Sequence, residues 1–297
     1  LRFLEGFADM NRIVRVVSLA VAFAAYALVP QASAQTQAPR SKVDVTYRDP
    51  SPKYTAVMTG MKQGMLLENL SRFLAPLRFP HELHLIGEEC DVKMTTSPHY
   101  NPARRAIVIC YQFDELIGQF APALDAKSDE GLTRNEVVTG TIWGVVLHEA
   151  GHALFDMLEV PIFGAEEDAA DQIAILFALE NSKSKDVGRA MVGGFAHFWR
   201  AFAAARKEYW TQWKAYTDVH GADIQRYRNT VCLAYGFDSE TFKEFIAKAE
   251  LGDRIGNCKA EYAQVKWAFL KTIAPFINQT ASADARAQTW VTPEGNR

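Results

Sequence analysis

Residues 148–152 read His-Glu-Ala-Gly-His. On a helix, two histidines four positions apart stand one above the other on one face. Both imidazoles can then point at one metal ion, and zinc accepts such nitrogens at about 2.0–2.1 Å. Glu149 follows the first histidine, which places it beside a water activated by that ion, where a general base is needed. The pentapeptide thus proposes a reaction, hydrolysis, as well as a ligand. The chain has 7 histidines in 297 residues, so a chance H-E-x-x-H is expected in on the order of one such chain in a hundred. The plainer alternative is a buried helix whose histidines bond locally.

A catalytic zinc site has three protein ligands and one open position. Downstream lies Ala165-Glu-Glu-Asp-Ala-Ala-Asp171, which follows Pro161 and Gly164. It reads as a new helix with acidic residues in its first turn, where the macrodipole favours them. Glu167 and Asp171 are four apart and share a face. Glu167 is the candidate third ligand. Asp171 is placed to accept a hydrogen bond from the far nitrogen of a ligand histidine. Glu166 and Asp168 are expected to point elsewhere. The short stretch 156–165 is long enough to reverse the chain and bring the second helix back antiparallel to the first. Ala150, Gly151 and Ala153 are small enough to let it approach closely.

HEAGH followed by this E-x-x-x-D resembles the gluzincin metallopeptidases, with a shorter separation than in the thermolysin-like members. The longer run 147–174 is similar to an uncharacterised bacterial family of exported metallopeptidases. Asp223-x-Gln225-Arg226-x-x-Asn229-x-x-Cys232-x-x-Tyr235-Gly236 and Cys110-Tyr111 also fit it. The resemblance covers most of the chain after residue 34, and its specific part is 147–174. It implies a zinc-dependent hydrolase fold and names no substrate.

The N-terminal region reads as an export signal. Arg12 and Arg15 precede a 14-residue apolar stretch, Val16 to Val29, and Ala32-Ser33-Ala34 is a small-x-small cleavage signal. Met10 is a candidate start. The stretch is shorter than the ~20 residues a membrane span needs. Cleavage after Ala34 would leave no stable membrane anchor, and the product would be periplasmic or secreted. Cysteine usage agrees: Cys90, Cys110, Cys232 and Cys258 all follow residue 34. Four cysteines allow three connectivities. Cys90–Cys110 with Cys232–Cys258 is favoured, because each pair is close in sequence and flanks a hairpin or helix–helix unit. Each bridge would stabilise by about 3 kcal/mol. Cysteine-ligated zinc is disfavoured, since no C-x-x-C occurs. A formal net charge of −3 argues against a nucleic-acid partner.

These residues need a scaffold. Val43–Tyr47, Glu82–Gly87 and Ala106–Cys110 read as strands. Tyr54–Leu74 reads as one helix with Met58, Met61 and Met65 in the core. Helices follow at Tyr111–Ala121, Asn135–Leu158 (the motif helix), Ala165–Leu179 and Cys258–Phe276. Ala106–Cys110, or the Met94–Pro98 stretch, is the candidate edge strand for pairing with an extended substrate. His99 and Tyr100 read as surface residues of a turn. Phe195, Phe198, Trp199, Phe202, Tyr209, Trp210, Trp213 and Tyr216 form an apolar stripe that reads as core packing. His220, Arg226 and Tyr216 are candidates to face a tetrahedral oxyanion. His81, His84 and His197 read as structural.

The expected fold is α+β and mainly helical. It is a zincin-like core with a small sheet and an active-site helix, followed by a helical C-terminal part. Residues 1–34 are the signal peptide. Residues 35–277 form one zincin-like domain, α+β to about residue 180 and helical over 181–277, and 278–297 is a polar tail. The expected activity is an exported zinc (Zn2+) metallopeptidase. His148, His152 and Glu167 bind the metal, Glu149 is the base, His220 or Arg226 assists, and the substrate is a peptide or protein. The reading from another class is an exported, non-catalytic binding or assembly protein that retains the fold.

Overall fold

The computed structural model describes residues 43–93, 95–207, 211–213 and 217–278. The signal segment, the tail beyond 278, and Met94, Tyr209, Trp210 and Tyr216 lie outside the described residues.

A four-stranded sheet forms from β1 (Val43–Tyr47), β2 (Leu83–Glu88), β3 (His99–Asn101) and β4 (Ala106–Cys110). Its order is β1-β2-β4-β3. The first two pairings are parallel, and β3 returns antiparallel on β4. Ala106–Cys110 is therefore an interior strand, and every residue in it is buried. A run of Ile, Val and Ala without alternation is what burial on both faces requires. The edges belong to β1 and to β3, the latter a strand absent from the sequence reading. Its backbone turns at Arg105, which adopts φ 46°.

The first helical stretch is two helices, α1 (Thr55–Gln63) and α2 (Leu66–Leu74). Met65 between them is left-handed at φ 50° and exposed, so it is not core. A non-glycine residue there breaks the ladder. After β4 come α3 (Phe113–Phe120) and α4 (Arg134–Met157). A capping box fixes the start of α4: Thr133 accepts from the Glu136 N–H, and Glu136 reaches back to the Thr133 N–H. Nearly all of its second half is buried, the two sequence neighbours His148 and Glu149 included.

Beyond α4 run α5 (Glu166–Asn181), α6 (Lys185–Ala205), α7 (Asp223–Phe237), α8 (Lys243–Ala249) and α9 (Cys258–Thr272). The last ends short of Phe276, and a 3-10 turn covers Ala274–Phe276. Two close approaches set the geometry around α4. A Cβ on Gly151 would lie 3.0 Å from the Ala170 Cα, so α5 packs almost backbone to backbone on the motif. A Cβ on Gly140 would lie 2.2 Å from the Ala190 carbonyl oxygen and 2.9 Å from the Gly194 Cα, so α6 crosses α4 there without side chains between.

Disulfides join Cys90 to Cys110 and Cys232 to Cys258, the pairing favoured from sequence. The first ties the chain after β2 to the end of β4, and the loop it closes holds β3. The second ties α7 to the start of α9. Two such bridges fit an oxidising environment. No described helix is long and apolar enough to cross a membrane.

Candidate metal centre

The antiparallel packing of α5 on α4 brings the two acidic-and-histidine faces together. His148 Nε2 and His152 Nε2 lie 3.2 Å apart. Glu167 Oε2 is 3.1 Å from the first and 3.5 Å from the second. Four-coordinate ligands held at about 2.0–2.1 Å from one centre stand about 3.3 Å apart. The three donor atoms therefore mark out one face of a tetrahedron of that size.

The far side of each ring explains how the near side could hold a cation. His148 Nδ1 is 2.8 Å from Asp171 Oδ1, and His152 Nδ1 is 2.7 Å from Glu166 Oε1. With each Nδ1–H donated to a carboxylate, both Nε2 atoms turn lone pairs toward each other. A proton on one of them, or a metal ion between them, relieves that arrangement. Glu167 Oε2 is buried, and none of its short contacts has hydrogen-bond geometry, so it too has no donor. Two neutral imidazoles and one carboxylate suit a divalent borderline metal.

Charge in the site follows from these neighbours. Burial pushes the Glu167 carboxyl up, but the imidazoles around it outweigh burial and hold it well below the usual carboxylate range. Burial lowers the His148 imidazole, yet Asp171, Glu167 and Glu149 outweigh it and raise it to about 9. Burial also pushes the Glu149 carboxyl up, against the pull of His148 and His152. A raised carboxyl is a better proton acceptor near neutrality.

Four placements differ from the sequence reading. Glu166, expected to point away, is the partner of His152. Tyr100, expected on the surface, is half-buried: its backbone N–H donates to Glu149 Oε2 at 2.7 Å, and its hydroxyl donates to Asp156 at 2.8 Å. His99 is likewise half-buried beside the cleft. Arg226, a candidate for facing the oxyanion, has its guanidinium engaged elsewhere. Its Nε and Nη2 each donate to Asp171 at 2.7 Å, and its Cζ lies 3.6 Å from the centroid of the Trp199 ring. It braces the carboxylate that orients His148.

His220 does reach the site. Its Nε2 is 3.1 Å from Glu167 Oε2, and its Nδ1 is 3.2 Å from Asp218, a partner the sequence reading missed. Asp218 lies two residues from His220, which was the available signal. His197 is structural as expected. It bridges buried Glu130 and the Phe120 carbonyl, and Arg200 completes the ion pair. His84 lies 3.9 Å from Asp44, away from the centre.

A model of a family described as "Putative metallopeptidase" matches residues 47–271. No curated protein and no solved structure matches the chain.

Proposed function

The chain belongs to this metallopeptidase family, and from that premise we propose that it is an exported, zinc-dependent, gluzincin-like peptidase with a zincin-like core. The observation that carries the reading is the His148–His152–Glu167 triangle. Its edges of 3.1–3.5 Å fit one tetrahedral metal, and the general-base glutamate sits in the same wall. Zinc, when bound there, supplies Lewis acidity and lowers the pKa of water.

The residues of the chain do the rest. Asp171 and Glu166 hold the two histidines in the tautomer whose Nε2 faces inward. The Tyr100 N–H fixes one oxygen of Glu149, leaving the other for the attacking water. Glu149 removes a proton from that water as its oxygen bonds to the scissile carbonyl carbon. It then delivers the proton to the amine nitrogen as the C–N bond breaks. His220, oriented by Asp218, offers a donor to the developing oxyanion. On the outer edge of β3 the Tyr100 N–H is taken up by Glu149, which leaves a carbonyl acceptor there for an extended substrate backbone.

The test separates chemistry from binding. Glu149→Gln should keep one zinc per chain by elemental analysis and lose about 10²–10⁴-fold in peptide hydrolysis. Wild-type hydrolysis in that variant would remove Glu149 from the reaction. Full zinc occupancy in His148→Ala would remove the ligand assignment. A protein that holds zinc and cleaves nothing in a mixed peptide library would instead be the binding or assembly protein.

A further inference from the structure

On the face of the sheet turned away from the main core, Ile86, Ala106, Val108, Cys90 and Cys110 form a small apolar cluster of their own. The two cysteines are joined as a disulfide, and a ring nitrogen of His99 lies within 4.8 Å of both sulfurs. His99 stands opposite Val108 in the β3–β4 register. Residues directly opposite share a face, and alternation puts Val108 and Cys110 on that same face. Sequence spacing offers no C-x-x-C, but folding adds the third donor.

The covalent bond is not what holds these donors together. β2 and β4 pair in register up to Glu88 and Cys110, and the Tyr111 N–H donates to the Glu88 carbonyl at 2.9 Å. Gln112 takes both backbone groups of Cys90. Its Oε1 accepts from the Cys90 N–H at 3.1 Å, and its Nε2 donates to the Cys90 carbonyl at 2.7 Å. The Ser97 carbonyl oxygen stands 3.1 Å from Cys110 Sγ and 3.2 Å from His99 Nδ1, so the loop is seated against both donors. Sheet, amide clamp and loop all persist when the sulfurs part. Two thiols and an imidazole then face one another already gathered, which is the preorganisation a metal site needs. Zinc held by two sulfurs at about 2.3 Å and a nitrogen at about 2.0–2.1 Å sets its donors about 3.5–3.8 Å apart. That triangle lies inside the 4.8 Å that separates the donors here at most. His99 is only half-buried, which leaves an ion a way in. Among the described residues, Cys232 and Cys258 gather no third donor of this kind.

We propose that Cys90, Cys110 and His99 form a second metal site, open to a thiophilic ion such as Zn2+ whenever this disulfide is reduced. A dithiol supplies the two electrons and two protons that open the S–S bond, and is itself oxidised to a disulfide. The ion then displaces the two thiol protons as two metal–sulfur bonds form. His99 precedes Tyr100, whose N–H holds Glu149, so this ligand is the chain neighbour of the residue that steadies the base. The site stands on its own donors and does not depend on the peptidase reading.

The test uses cobalt(II), which takes zinc sites and absorbs strongly when thiolate binds it. The protein is reduced with dithiothreitol, freed of it by anaerobic gel filtration, and titrated with cobalt(II) beside the untreated protein. The reduced form should bind one more ion per chain. It should also show thiolate-to-cobalt absorption in the near ultraviolet, which the His148 centre, lacking sulfur, cannot give. Cys90→Ser should abolish that absorption, and His99→Ala should weaken the added binding by on the order of 100-fold. If Cys90→Ser does not fold by circular dichroism, His99→Ala is read in its place, since it keeps both disulfides.

Reduced protein that takes up no added ion and shows no such absorption overturns the site. So does absorption that survives Cys90→Ser, or an affinity unchanged in His99→Ala. Loss of the folded circular dichroism spectrum on reduction also overturns it, because the donors would then depend on the bond. A His148 centre that binds nothing leaves the thiolate absorption in place, so the two centres are judged separately.

Discussion

His148 and His152 stand one turn apart on the same helix, yet their surroundings are opposite in kind. His148 is held from behind by Asp171, Asp171 by a two-pronged Arg226, and Arg226 by the face of Trp199. His148, Asp171 and Arg226 are each buried. His152 is held by Glu166, whose side chain is 56% exposed. A charge-assisted chain in the interior is costly to break, because each partner left behind is a buried unpaired charge. An exposed pair is screened by water and contributes little to stability. The inner imidazole is thereby preorganised and the outer one adjustable. The difference teaches which half of the centre sets its geometry: α5 and α7 fix the inner half, and a bound metal would complete the outer.

The comparison can be broken most forcefully from the inner side. Asp171→Asn leaves the Arg226 charge buried without its partner. It should destabilise the fold by roughly 3–5 kcal/mol in chemical denaturation and weaken metal affinity by about 10–100-fold in chelator competition. Arg226→Met should destabilise similarly. Joining it with Asp171→Leu should recover most of the stability and none of the affinity. If the double variant regained affinity, the brace would be structural only.

The next largest effect is a pH dependence of the metal-stripped protein. Burial opposes ionisation of Asp171, but Arg226 and His148 outweigh it and hold the carboxyl down at about 2. Its unfolded value is higher, so its stabilisation is present above about pH 4 and is lost as pH falls toward 2. The loss should amount to about 2–3 kcal/mol. Thermal melts of the wild type should show this acid limb, and melts of Asp171→Asn should lack it. An identical limb in both would assign it to other carboxylates.

Metal affinity should depend on pH through the inner histidine. His148 holds a proton up to about 9, and that proton must leave when the metal binds. Apparent affinity should then rise about tenfold per pH unit between pH 7 and 9 and flatten above. Calorimetry in buffers of different ionisation enthalpy counts the protons released. No release at pH 7 would show that His148 is already neutral.

The smallest effect belongs to the outer side. Glu166→Gln should change stability by less than about 0.5 kcal/mol and metal affinity by less than about tenfold. An affinity loss as large as that of Asp171→Asn would erase the distinction between the two halves.

Much of the centre was legible in the sequence because helical spacing is a short-range rule. His148 with His152, and Glu167 with Asp171, are each i, i+4 pairs, and the intervening stretch permits only a tight reversal. What was not legible depends on long-range placement. Tyr100 reaches Glu149 across 49 positions through a three-residue strand too short to announce itself in a periodicity. Glu166 was assigned to the wrong face because a first-turn side chain can reach past its own helix. The antiparallel register over Gly151 and Ala170 brings His152 within that reach. Arg226 was noticed as a cation near the site, but its role was decided by Trp199, whose packing reads as core from sequence alone. The break at Met65 carried no signal stronger than Gly64, and the apolar phase continued across it.

Gly140 lies two turns before the motif and touches no ligand. Its backbone nonetheless meets Gly194, and α6 carries both Trp199, against Arg226, and Phe198, which lines the cavity at the metal centre. A side chain at position 140 would have to displace that helix, since nothing flexible separates the two backbones. A relative could then keep HEAGH, Glu167 and Asp171 letter for letter and still be a pseudoenzyme. Sorting working members of this family from silent ones therefore means reading the crossing point as well as the motif.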